Sequence, residues 1–125
     1  MNAIENILLT HARSPVHWGD REHCSVSSSL ASVYCGDRVS LFLVIDSNIL
    51  RELWHTAEGC LVSQASASYL CEWGQGLSLR SLIATADSEF LKPLGPLTPM
   101  RQQCALLSLR CLKMGIEKHL TANPT

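Results

Sequence analysis

The chain reads as an α+β fold: a small three-stranded antiparallel sheet with about four to five helices packed mainly on one face. Three observations predict it. Val39, Leu41, Leu43 and Ile45 alternate with other residues in a strongly β-prone run. Two short connections, Cys35-Gly36-Asp37 and Asp46-Ser47-Asn48, join neighbouring strands on either side of that run, which favours an antiparallel meander. After Gly59 the apolar period becomes helical. At 125 residues there is enough chain for one core but not two, so residues 1–125 read as a single domain.

Each element has its own signal. Ile4, Ile7, Leu8 and His11 recur at helical spacing, so residues 2–13 form an amphipathic helix that ends before Pro15. Residues 14–21, with Pro15 and Gly19, form a loop. The Ser-rich stretch from Cys24 to Val33 reads as a strand near an edge, followed by the strand through Val39 and Ile45 and a third from Ile49 to Thr56. Val62, Ala65, Tyr69, Leu70 and Trp73 share one face of the next helix, which Gly74 and Gly76 stop. Ser78 caps a short helix through Ala84, and Asp87 another through about Leu91. The Pro-rich stretch 92–99 is a loop, and Pro99 opens a last helix to about Leu120. Its apolar positions run Met100, Cys104, Leu107, Cys111, Met114 and Ile116, and residues 121–125 are expected to fray.

Composition excludes several function classes. Ten Lys/Arg against eleven Asp/Glu leave no basic stripe for a run of phosphates, so nucleic-acid binding is not expected. The densest apolar stretch, Val39 to Ile45, is far short of a bilayer span, so no membrane partner is expected. The N-terminus carries Glu5 in an apolar pattern and lacks a secretory signal, which points to a cytoplasmic setting. There, six cysteines are expected to be thiols, ligands or nucleophiles rather than disulfides.

Three of those cysteines sit where a thiolate is readily used. Cys35 shares a turn with Asp37, and Gly36 lets the backbone aim both side chains at one point. Cys60 stands at the start of a helix, where backbone N–H groups stabilise a thiolate. Cys104 follows Arg101 by one helical turn. Three sulfurs and one carboxylate oxygen complete a four-ligand set for zinc or an iron–sulfur cluster. Buried cysteines are common core residues, which is the reading given to Cys24, Cys71 and Cys111. Trp18, Trp54 and Trp73 read as packing residues.

Around these residues the chain resembles the U-type iron–sulfur cluster scaffolds, comprising IscU, SufU and the N-terminal domain of NifU, over about residues 5–118. Cys35-Gly36-Asp37 before an apolar strand is similar to the family's first ligand motif. The segment Gly59-Cys60-Leu61-Val62-Ser63-Gln64-Ala65-Ser66-Ala67-Ser68 resembles its Gly-Cys-x-x-Ser-x-Ala-Ser-Ala-Ser stretch, and Glu72-Trp73, Gly76 and Ser78-Leu79 continue it. Arg101-Gln102-Gln103-Cys104-Ala105-Leu106-Leu107 resembles the third ligand motif. His11, Pro15 and Gly19 keep the spacing of an N-terminal frame, but Val16 and His17 replace its Arg-Asn pair. Val33-Tyr34 stands where Asn-Pro is usual, Ala57 where a glycine is frequent, and Gln103 where IscU carries histidine. Leu97-Thr98-Pro99-Met100-Arg101 only partly resembles the segment that IscU presents to its Hsp70 chaperone, which argues against that partner.

The resemblance implies a scaffold rather than an enzyme. A cysteine desulfurase would pass sulfur to Cys104 or Cys60, and a transient [2Fe–2S] cluster would form on Cys35, Asp37, Cys60 and Cys104. Recipient apo-proteins would then take it. Zinc is compatible with the same ligands. The alternatives are a zinc-dependent sulfurtransferase of the SufU kind, in which a thiolate accepts sulfur without building a cluster, and a degenerate metal-binding interaction module. His17 is a candidate spare ligand or proton carrier. Arg101 would either steer an anionic persulfide or sit on a solvated helix turn.

Overall fold

The computed structural model describes residues 3–33 and 36–123, with side chains of the first helix described from Ile7 onward. The elements run α1 (Ala3–Arg13), β1 (Val26–Ala31), β2 (Arg38–Asp46), β3 (Ile49–Glu58), α2 (Leu61–Gly74), α3 (Leu79–Ala84), α4 (Asp87–Leu91) and α5 (Pro99–Ala122). A single 3-10 turn, Lys92–Leu94, follows α4. The strands form one antiparallel sheet in the order β1-β2-β3. The α+β expectation holds, with α2 and α5 packed on one face of the sheet and α1 packed on α2.

Alternation along β2 decides which face is which. Val39, Leu41 and Leu43 are fully buried beneath the helices, while Ser40, Phe42 and Val44 are half-buried on the other side. The β2–β3 hairpin turns through Ser47 and Asn48, both at positive φ (54° and 60°), the conformation a two-residue hairpin with right-handed twist requires. β3 does not keep strict alternation. Val44 pairs with Glu52 and Ile45 with Leu50, so Arg51 is an extra residue. That bulge lets Leu50 face inward and still turns Leu53, His55 and Ala57 to the core. β3 also runs two residues beyond the expected Thr56, pairing Glu58 with Arg38. Residues 37 and 59 thereby arrive at the same end of the sheet.

Two helices are buried more widely than their apolar periodicity implies. In α2 the buried set includes Ser63, Ser66, Ala67, Ser68 and Gly74, while Val62, Tyr69 and Trp73 are only half-buried. This helix is surrounded by α1, α5 and β3, and small side chains let it approach all three. In α5, Met100 and Met114 are exposed. Gly115 lies where a Cβ would meet Ser28 Cβ at 3.2 Å, so α5 crosses the sheet closely at that point.

Ser78 caps α3 as expected, Thr98 caps α5 without having been singled out in the sequence, and Asp87 is a correction. Ser78 and Thr98 accept hydrogen bonds from the backbone N–H groups of Ser81 and Arg101, and Pro99 opens α5. Asp87 does not cap α4. Ala86 holds that position and its N–H is taken by Glu89 Oε1 at 3.3 Å, leaving Asp87 in the first turn. Thr121 and Ala122, expected to fray, belong to α5, which Asn123 closes; residues 124–125 lie outside the described residues. No described helix is long and apolar enough to cross a membrane.

Candidate metal centre

Pairing Arg38 with Glu58 sets Asp37, just before β2, beside Gly59, just after β3. Asp37 is 1% exposed. Its Oδ1 accepts the backbone N–H of Cys60 at 2.9 Å, and its Oδ2 accepts the Ser63 hydroxyl and the Cys60 thiol, the latter at 3.1 Å. Gly59 makes this possible twice over. It has φ +115°, and a Cβ there would sit 2.0 Å from Asp37 Oδ1. The carboxylate lies over the bare Cα.

Cys60 is the N-cap of α2, its sulfur accepting the Ser63 N–H at 3.5 Å. It is exposed, whereas Cys104 in the second turn of α5 is 5% exposed. One ligand atom from each of Asp37, Cys60 and Cys104 lies within 4.8 Å of the others. Ligands of a tetrahedral zinc ion with Zn–S bonds of about 2.3 Å are about 3.8 Å apart, so this set needs only a small contraction to hold one. Two soft sulfurs and a carboxylate oxygen suit zinc and iron alike. The expectation for Cys35 lies outside the described residues. Arg101, Leu9, Leu61 and Met100, together with Cys60 and Cys104, line an open groove of about 630 Å³ beside the centre.

The histidines have other tasks. His17, at φ 52°, bonds through Nδ1 to the Leu53 carbonyl at 2.9 Å and stacks on Trp54 at 4.6 Å. It therefore belongs to β3's outer face and is not part of the ligand group found among the described residues. His11 is buried, with Nδ1 2.7 Å from Ser68 Oγ and Nε2 2.9 Å from Glu72. The same Ser68 oxygen accepts the N–H of Val16, so the His11–Pro15 frame fastens α1 to α2. Gln103 accepts from Arg110 at 2.8 Å. Of the tryptophans, Trp18 is half exposed and covers the edge of the His55 ring.

Two further polar groups matter, and nothing in the sequence marks the first of them, His55, as a base. His55 is fully buried, with Nδ1 3.3 Å from Cys71 Sγ. Burial holds its pKa down to about 4, from an ordinary 6.5, and pushes the Cys71 thiol far up. The pair is neutral and structural rather than an activated nucleophile. His55 pairs with Leu41, so the regular alternation along β2 is the signal for its burial. Ser63 is the other, and its spacing of three from Cys60 was visible in the motif. Cys111 is core as expected, its thiol pushed up to about 11 by burial and donating to Ser28 O at 3.3 Å. Cys24 is half-buried.

The family model for the NifU-like N-terminal domain matches residues 4–124. The chain is 24% identical over 136 residues to the zinc-dependent sulfurtransferase SufU of Bacillus subtilis, covering 94% of this chain and 91% of that one. It is 27% identical over 128 residues to the iron–sulfur cluster assembly scaffold protein IscU of Thermotoga maritima, covering 89% and 90%. Among solved structures, the N-terminal NifU-like protein of Brucella abortus has the same fold, with a TM-score of 0.79 at 17% identity and coverage of 98% and 99%.

Proposed function

The chain belongs to the NifU-like N-terminal domain family, and from that premise we propose that it is an iron–sulfur cluster assembly scaffold. The observation that carries the reading is the approach of Asp37, Cys60 and Cys104 to within 4.8 Å of one another, from three separate segments. Cys35 would be the fourth ligand. The cargo would be a [2Fe–2S] cluster, supplied with sulfur by a cysteine desulfurase and passed to apo-proteins in the cytoplasm. The whole of residues 1–125 would act as one domain.

The chain's own chemistry supports each part of this. Cys60 is exposed and Cys104 borders the groove, so either thiolate can attack the outer sulfur of a partner's persulfide. The partner's S–S bond then breaks, its thiolate leaves and the persulfide resides here. Release of that sulfur as sulfide takes two electrons from an external donor. Asp37 is a harder and weaker partner for iron than a thiolate, which favours a centre that lets its cargo go. The partly lost chaperone segment argues against delivery through an Hsp70 partner.

The second reading, a zinc-dependent sulfurtransferase, draws on the likeness to SufU and on Gln103, which is bonded to Arg110 where IscU carries a histidine. Anaerobic reconstitution with ferrous iron, cysteine and a desulfurase separates the two. The scaffold reading expects sulfide-to-iron charge-transfer absorption and matching iron and sulfide contents. Tightly held zinc, persulfide uptake and no such absorption would replace it with the sulfurtransferase reading.

A further inference from the structure

One hydroxyl touches all three described segments of the centre. Ser63 is fully buried. Its Oγ donates to Asp37 Oδ2, lies 3.6 Å from Cys60 Sγ and stands 3.3 Å from the Cys104 carbonyl oxygen. Ser63 is the third residue of α2, the place from which a side chain ordinarily reaches back to the N–H of the capping residue. Here Asp37 Oδ1 already takes the Cys60 N–H, and Ser63 turns instead to the other oxygen of the same carboxylate. The capping arrangement is thus closed through a residue of a distant segment, the one just before β2.

The consequence is geometric. A carboxylate held at one oxygen still rotates about its Cβ–Cγ bond. With Oδ1 fixed by Cys60 N–H and Oδ2 by Ser63, rotation is stopped, and Oδ2 stays 3.1 Å from the Cys60 sulfur. A serine hydroxyl has one proton. The charged carboxylate is its stronger acceptor, and the Cys104 carbonyl is a second acceptor within reach when a metal engages Oδ2.

We infer that Ser63 is the positioning residue of this centre: its hydroxyl aims Asp37 Oδ2 at the point where the sulfurs of Cys60 and Cys104 converge. The inference rests on the metal-binding reading above, but its geometric core does not need a metal to be tested. Ser63→Ala is the variant of choice, since alanine is the better helix former and α2 is retained.

Zinc affinity is measured by competition with a chromophoric chelator for wild type, Ser63→Ala, Asp37→Ala and the double variant. Exchange of the Cys60 backbone amide is followed by NMR in the metal-free proteins. Ser63→Ala is expected to weaken zinc about 10- to 100-fold, the usual consequence of removing a partner that orients a ligand. On the Asp37→Ala background the same change is expected to add nothing, because Ser63 acts through that carboxylate. The Cys60 amide is expected to exchange about tenfold faster in metal-free Ser63→Ala. Additive losses in zinc affinity would overturn the assignment while leaving the metal centre standing. A wild type that binds no zinc or iron would instead remove the metal-binding reading. Amide exchange then decides alone, and an unchanged Cys60 amide would overturn the positioning role.

Discussion

Replacing Gly59 by alanine isolates the closest approach in the centre. The new Cβ would lie 2.0 Å from Asp37 Oδ1, 2.6 Å from its Cγ and 2.9 Å from its Cα. Reaching even 3.0 Å requires a shift of 3.0 − 2.0 = 1.0 Å in Oδ1, and the neighbouring backbone must move as well. That displacement breaks the 2.9 Å bond from the Cys60 N–H. Positive φ at a residue with a Cβ costs about 1–3 kcal/mol, and a buried carboxylate losing a donor about 1–3 kcal/mol more. The expected loss of stability is therefore about 2–6 kcal/mol. Gly76→Ala is the matched control, since Gly76 has φ +89° with nothing within 4 Å of its Cβ position. It carries the backbone cost alone, about 1–3 kcal/mol. Urea unfolding of both variants, with zinc competition on each, reads the difference. Gly59→Ala should unfold more easily than Gly76→Ala by about 1–3 kcal/mol and lose at least about tenfold in zinc affinity. Equal unfolding costs with wild-type zinc binding in both would refute the claim that the carboxylate is packed on the glycine.

The remaining predictions concern ligand lability, acid stability and thiol access. Asp37→Cys, which puts a thiolate in place of the carboxylate, should lengthen the life of a reconstituted cluster and slow its transfer to an apo-ferredoxin, followed by circular dichroism; identical release from both proteins would deprive Asp37 of that role. His55 is held at about 4 against 6.5, so below pH 6.5 the unfolded chain binds the extra proton first, and stability falls as pH drops from 6.5 toward 4. The loss from this group reaches about 2 kcal/mol by pH 5, and urea midpoints of His55→Leu should lack that component of the acid slope. With iodoacetamide on the metal-free native protein, Cys60 should be labelled well before the fully buried Cys71 and Cys111, and zinc should protect it. Peptide mass spectrometry identifies the order.

What the sequence disclosed and what it withheld divide along the line between local and tertiary causes. β2 was legible because Val39, Leu41 and Leu43 lie on a regular pleat with one face covered. Ser78 and Pro99 announced helix starts through their own chemistry. The Arg51 bulge carried no such mark; it rephases β3 at Leu50, while pairing with Leu41 puts His55 on the buried face. The face assigned to α2 omitted Ser63, Ser66 and Ser68, because serine reads as polar until three neighbours surround it. Asp87 resembled a cap, yet Glu89 reaching back to Ala86 does that work. Asp37, Cys60 and Cys104 were named from local context and do converge. The hydroxyl that joins them had no local signature beyond its distance from Cys60, since its partners come from β2's start and from α5.

Cys60 holds two positions at once, as a candidate ligand and as the cap of α2. Whatever is bonded to its sulfur also acts on the first turn of the helix against which α1, β3 and α5 are packed. A thiolate there favours the positive end of the helix dipole, and a bound cation or an added sulfur atom changes that charge. The charge at this one sulfur is therefore set against the first turn of the helix on which three other elements pack.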